Sequence, residues 1–228
     1  MARRLLAASI LAAYAVLHGM EGTWFFSAAC AAGAIVMLRP TFWARRYAMG
    51  IALAGLLNIA AYWAYWRELA WIQGIAFAAL FLSLVGKKMR GVFDERAAHW
   101  KFDHWTMHVL GGALSLNVAG IGMLVQYANG GAGSESLRAS AFCLAALLSI
   151  GSIASARGRI AGLFAMTLAG GAAIWLGFQA VAHTAMCSPQ QFEAVKAISG
   201  FGPAALGSIA CFAVFLGPMV RFVRNKSA

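Results

Sequence analysis

The stretch KKMRGVFDERAAHWKFDHWTMH, Lys87 to His108, is the one long hydrophilic interruption in an otherwise apolar chain. It holds three of the five histidines, three of the seven acids and five of the eighteen basic residues. Four apolar segments precede it and four follow. The expected fold is therefore all-α: a polytopic integral membrane bundle of eight transmembrane helices, with both termini cytoplasmic. Residues 1–228 read as a single membrane domain of two four-helix halves, 1–86 and 105–228, joined by a cytoplasmic hinge at 87–104.

Composition points to the same solvent. Apolar residues make up 62% of the chain and charged residues 11%, with a mean hydropathy of +0.74. Soluble domains carry about 25% charged residues. The net charge of +11 would suggest nucleic acid in a soluble protein, but here the cations sit in short clusters between apolar segments. That pattern suits anionic lipid at the cytoplasmic face of an inner membrane, not nucleic acid. A homo-oligomer or a larger membrane complex is the expected form of any protein partner.

Outward from the hinge, the segments fall at about 5–20, 23–38, 47–66 and 69–86, then 105–128, 139–156, 160–183 and 201–223. The first begins in MARRLLAASILAAYA, which looks like a secretory signal but is read as a retained helix. Arg39 and Pro40 close the second segment, and Arg45 and Arg46 are expected as loop cations ahead of the third. In the seventh, Ala165, Ala169, Ala173 and Gly177 share one helical face, which places that helix in the middle of the bundle. After it, Ser188, Pro189 and Gln191 signal a short surface helix ending before Gly200; Pro218 is expected to kink the last span. Cys30, Cys143 and Cys211 read as small buried hydrophobes, while Cys187 falls in a loop.

Orientation follows from the cations. With eight spans and both termini inside, fifteen Lys and Arg fall on the cytoplasmic side; Arg67, Arg138 and Lys196 alone fall outside. One span more or fewer destroys this alternation.

No acid, lysine or arginine lies near the centre of any span, which disfavours a carboxylate-driven pump. The groups at depth are neutral: Asn58, Asn117 and Gln179 are candidates to line a path for a small solute. At the outer face, His18 and Glu21 end the first span and His183, with Cys187, ends the seventh. Imidazole and thiolate suit a metal ion, and two opposed imidazoles suit a haem b iron. At the hinge, His104 and His108 are four apart on one helical face, a metal half-site lacking a third ligand. His99 and His104 resemble one fragment of the histidine boxes of membrane desaturases and hydroxylases, although five histidines are too few for that di-iron centre.

No nucleophile elbow, phosphate loop or carboxylate pair occurs at useful spacing. The leading functional reading is a transporter, channel or carrier subunit for a small solute, with enzymatic activity disfavoured. Two alternatives stand beside it: a metal- or haem-binding membrane redox protein or enzyme using interfacial histidines, and a structural or assembly subunit of a larger membrane complex.

Overall fold

A short α1–α2 hairpin begins the fold. Gly22 takes a φ of 74°, open to glycine at no steric cost, and the Thr23 amide donates to the His18 carbonyl at 2.9 Å. The computed structural model describes residues 2–39, 41–62, 67–93, 104–130, 134–157, 159–187 and 191–226, and it is all-helical among them. Two compact units divide the chain, Met1–His99 and Trp100–Ala228.

The first unit contains α1 (Ala2–Met20), α2 (Trp24–Met37), α3 (Phe42–Tyr62), α4 (Arg67–Leu84) and the short α5 (Lys87–Phe93). Helices α1 to α4 form an up-and-down ring, α1 lying against both α2 and α4 and α3 against the same two. Ala7, Leu11 and Tyr14, at helical spacing, supply the buried face of α1. Tyr14 stacks against Phe77 of α4 with ring centroids 4.5 Å apart. On α2, Gly33 is where the bundle closes: a Cβ there would lie 3.0 Å from Ile51 and 3.2 Å from Leu11.

The start of α3 departs from expectation. Thr41 caps the helix, its hydroxyl accepting from the Ala44 amide at 3.2 Å, so α3 begins at Phe42 and absorbs Arg45 and Arg46. Both arginines are buried, at 3% and 6% exposure, not loop cations. Arg45 is accommodated because its Nε donates to the Leu84 carbonyl at 2.9 Å, satisfying an orphan acceptor at the end of α4. The Arg46 guanidinium lies 5.1 Å from the centre of the Phe42 ring. Beyond Leu84 the chain turns by 70° into α5, with Gly86 at φ 117°. The first part of the hydrophilic hinge is thus helical, while 94–103 lie outside the described residues.

The second unit is again an up-and-down ring: α6 (His104–Gly130), α7 (Glu135–Ala156), α8 (Ile160–Cys187) and α9 (Gln191–Lys226). Ser134 caps α7, accepting from the Leu137 amide. Small residues set the helix separations. A Cβ on Gly120 of α6 would lie 2.7 Å from the backbone nitrogen of Ala204 in α9, and one on Gly151 of α7 would lie 2.9 Å from Met166 of α8. On α8, Ala169 and Ala173 are buried as their spacing predicts. Nevertheless α6 is more buried than α8: 67% of its apolar stretch is buried against 28% for α8. The difference lies in the other faces, since α8 leaves Phe164, Leu168, Trp175 and Phe178 exposed.

Three further expectations change. The surface helix and the last span are one helix, α9, running through Gly200, Pro203 and Pro218; close packing of Ala204 on Gly120 holds the chain helical beside Pro203, where one backbone hydrogen bond is lost. Cys187 ends α8 and does not lie in a loop. Cys143 is exposed on α7, whereas Cys30 and Cys211 are buried. Among the described residues, four helices are long and apolar enough to cross a membrane, all in the second unit, and five if α4 and α5 together make one broken span.

Candidate functional site

At the seam where α9 crosses α6 and α8, polar side chains enter the interior of the second unit. The register of the seam comes from Gly200, Ala204, Gly207, Ser208 and Cys211 of α9, small residues recurring every three or four positions. Gly207 presses directly on Asn117 of α6: a Cβ there would collide with the Asn117 Oδ1 and lie 2.8 Å from the Ala113 carbonyl. On the other side of α9, a Cβ at Gly170 of α8 would lie 2.9 Å from the Ser208 Cβ. Glycine at 207 and at 170 therefore admits one polar side chain on each flank of α9.

These two side chains are fully buried and incompletely satisfied. Asn117 is at 0% exposure and Ser208 at 1%. The Asn117 Nδ2 makes one long contact, 3.9 Å, to the Cys211 sulfur. The Asn117 Oδ1 and the Ser208 Oγ have no hydrogen-bond partner among the described residues. Neighbouring buried serines differ: Ser115 donates to the Gly111 carbonyl at 3.0 Å, and Ser155 to the Met166 sulfur at 3.2 Å. Leaving a buried amide oxygen or hydroxyl unpaired costs about 1–3 kcal/mol. The seam is thus a place where the fold pays for polarity that its own packing does not use.

A second polar group sits at the α1–α2 hairpin of the first unit. The Thr23 hydroxyl donates its single proton to the His18 carbonyl at 3.0 Å. It must therefore accept from the His18 Nδ1, 3.0 Å away. The Glu21 carboxylate lies 3.3 Å from the same nitrogen and is an acceptor when ionised. Both contacts place the imidazole proton on Nδ1 and leave Nε2 bare in neutral His18. Tyr14 and Phe26 flank the ring, at centroid distances of 5.9 and 5.6 Å. The arrangement can accept a hydrogen bond or a proton at Nε2.

Of the residues singled out from sequence, His18 and Glu21 come together, in the first unit. His183 is half-buried near the end of α8, in the second unit, and the Cys187 side chain lies outside the described set. Asn58 is half-buried on α3. Gln179 is exposed on α8 and is not part of the buried seam. His104 and His108 share the first turns of α6, His108 half-buried, with the His104 side chain outside the described set. Among the described residues, no three His, Cys, Asp or Glu side chains gather as a metal site would require. Sequence reasoning missed Thr23, Ser208 and Cys211. The small-residue spacing of Ala204, Gly207, Ser208 and Cys211, all within the expected last span, carried the signal for the last two.

Comparison with protein-family models, with curated proteins and with solved structures found no match.

Proposed function

We propose that this chain is a multi-pass inner-membrane protein of eight spans, both termini cytoplasmic, that carries a small neutral polar solute through its helical interior. The observation that carries the reading is the pair of fully buried, unpartnered polar atoms at the seam, Asn117 Oδ1 and Ser208 Oγ. Inside a membrane protein no bulk water relieves such groups, so retaining them makes sense if a passing solute or its water supplies the missing bonds. A neutral amide and a hydroxyl suit a neutral solute with hydrogen-bonding groups; an ion would call for charge or a cage of carbonyls.

Eight spans require the shorter helices of the first unit to count. At 14 residues α2 reaches only about 21 Å at 1.5 Å per residue, against a hydrocarbon core of roughly 30 Å. It spans with local thinning of the bilayer. Orientation is supported within the first unit by the cations alone: Arg3, Arg39, Arg45, Arg46, Lys87 and Lys88 all belong to the helix ends at one pole of its ring, and His18 with Glu21 to the other.

The test is osmotic. Protein reconstituted in liposomes is exposed to urea, acetamide or glycerol gradients and vesicle swelling is followed by light scattering. Flux above that of empty liposomes, reduced by Asn117→Leu and by Ser208→Ala without loss of thermal stability, is the expected result. Flux indistinguishable from empty liposomes overturns the reading. Under that outcome, a visible absorption band would favour the redox alternative, and co-purifying subunits the assembly alternative. Cysteines placed at Gly91 and Ser134 test the topology separately: 91 labels only from the cytoplasm and 134 only from outside.

A further inference from the structure

Three residues that weaken a helix stand within four positions of α9: Gly200, Gly202 and Pro203. At Gly120, Gly170 and Gly207 packing explains the glycine, because a Cβ there would strike the facing helix. At Gly200 and Gly202 it does not. The heavy atom nearest to an added Cβ is the Met123 carbonyl oxygen at 3.7 Å for Gly200 and the Ile198 side chain at 3.9 Å for Gly202, ordinary contact in both cases. Alanine would fit and would favour the helical state by about two- to fivefold at each position. Gly112 and Gly171 are also open to a Cβ, but α6 and α8 contain no proline. Pro203 has no amide to offer the carbonyl of the buried Ser199, one turn before it. Amid this weakened backbone Phe201 is fixed. It is 2% exposed, its ring lies edge-on to Tyr127 of α6 with centroids 5.4 Å apart, and its Cβ is 3.1 Å from where a Cβ on Gly177 of α8 would sit. Just beyond, Ala204 is held against Gly120 of α6.

We propose that residues 191–199 of α9 form an arm that swings about Gly200–Pro203 and gates the approach to the Asn117–Ser208 seam from the outer face, while α9 from Ala204 onward stays fixed on α6. A weakened hydrogen-bond ladder around an anchored side chain is a pivot: the backbone bends where a bond is missing and glycine adds no side chain to resist. The ladder stays intact within the arm and beyond Ala204, so the two parts move as stiff rods. Val195 and Ile198 of the arm are exposed, whereas Ala197 and Ser199 are buried, so the arm has a seated face to leave and return to. Gly207, where the seam begins, follows Pro203 by a single turn. The inference rests on the solute path and the orientation given above, and it supplies that path with a moving part.

The experiment is a spin-label distance measurement on the full chain in lipid nanodiscs, with Cys143 and Cys187 replaced by serine. Val195→Cys paired with Ser136→Cys, at the outer end of α7, reports the arm; Leu206→Cys with Ser136→Cys reports the fixed part, and all three positions are exposed. Position 195 is six residues, or about 9 Å, from Phe201, so a swing of about 30° moves it by about 5 Å. The expected result is a second population or a broadening of that size for 195 and a single narrow distribution for 206. Gly202→Ala should reduce the displaced population about two- to fivefold, and Pro203→Ala about tenfold or more, each with a lower solute flux in liposomes. Pro203 is buried, so Pro203→Ala also changes packing; Gly202→Ala keeps every neighbour and carries the test alone if the other fails to fold. A 195 distribution as narrow as that for 206 overturns the proposal, as does a broad one that Gly202→Ala leaves unchanged. A displaced population that Gly202→Ala reduces, in a protein without flux, supports the pivot and refutes only the solute path. Flux in a protein whose arm does not move refutes the pivot alone.

Discussion

Two glycines on one helix should respond in opposite directions to the same substitution. Gly120 and Gly112 both lie within α6, where alanine is the better helix former by about 0.5–1 kcal/mol. At Gly112 a Cβ meets nothing within 4 Å, so Gly112→Ala should be neutral or stabilising by up to that amount. At Gly120 the new carbon would sit 2.7 Å from the Ala204 nitrogen, 2.9 Å from its Cα and 3.0 Å from its Cβ. The backbone of α9 cannot rotate out of the way as a side-chain tip could. Restoring ordinary contact of about 3.4 Å means parting α6 from α9 by about 0.7 Å, enough to forfeit a quarter to a half of each contact along the crossing. Overpacking of this kind costs about 1–3 kcal/mol, which outweighs the propensity gain. The expected gap between the two variants is therefore about 2 kcal/mol or more, with opposite signs about wild type. Purified variants heated in detergent and assayed for the monodisperse fraction by size exclusion would measure it. A Gly120→Ala protein as stable as Gly112→Ala would show that α6 and α9 are not in backbone contact, and with them the seam geometry would fall.

Ala169→Leu or Ala173→Leu, on the buried face of α8, should lower folded yield, whereas Ala28→Leu on the exposed face of α2 should not; fluorescence-detected size exclusion reports both. Ser134→Ala removes the cap of α7 and should cost about 1 kcal/mol, read as a lower melting temperature and recovered by Ser134→Asp. Arg45→Gln should destabilise the α4–α5 elbow by loosening the Leu84 carbonyl, seen as faster proteolysis between Leu84 and Lys87 with little change in protection of the second unit. Exchange of His18 nitrogen-15 signals should report the Nδ1-protonated tautomer, and Thr23→Val together with Glu21→Gln should abolish that bias.

Reading helices from this sequence needed only local physics. Long apolar runs broken by Arg39–Pro40, by the stretch NGGAGSES and by Arg157–Gly158–Arg159 mark helix ends without reference to any partner. The buried face of α8 was legible for the same reason, since alanines every four residues declare a close-packed side wherever the helix goes. Which helix is the more buried was not legible. That depends on what each face meets in the fold, and more of α6 than of α8 is buried although both are rich in small residues. Arg45 shows the limit most clearly: beside Arg46 and after Pro40 it reads as a loop cation, because local sequence contains no sign of the Leu84 carbonyl that makes its burial affordable. The seam has the same character. Asn117 could be picked from sequence as a polar residue at depth, but no local pattern tells that Gly207, distant in the chain, brings α9 against it without a donor for its oxygen. Sequence by itself determined the apolar helices and the clustering of cations between them, which are properties of short segments in their solvent. Tertiary structure decided which charges are buried and which polar atoms go unpaired, since both are set by contacts between helices whose partners no local pattern names.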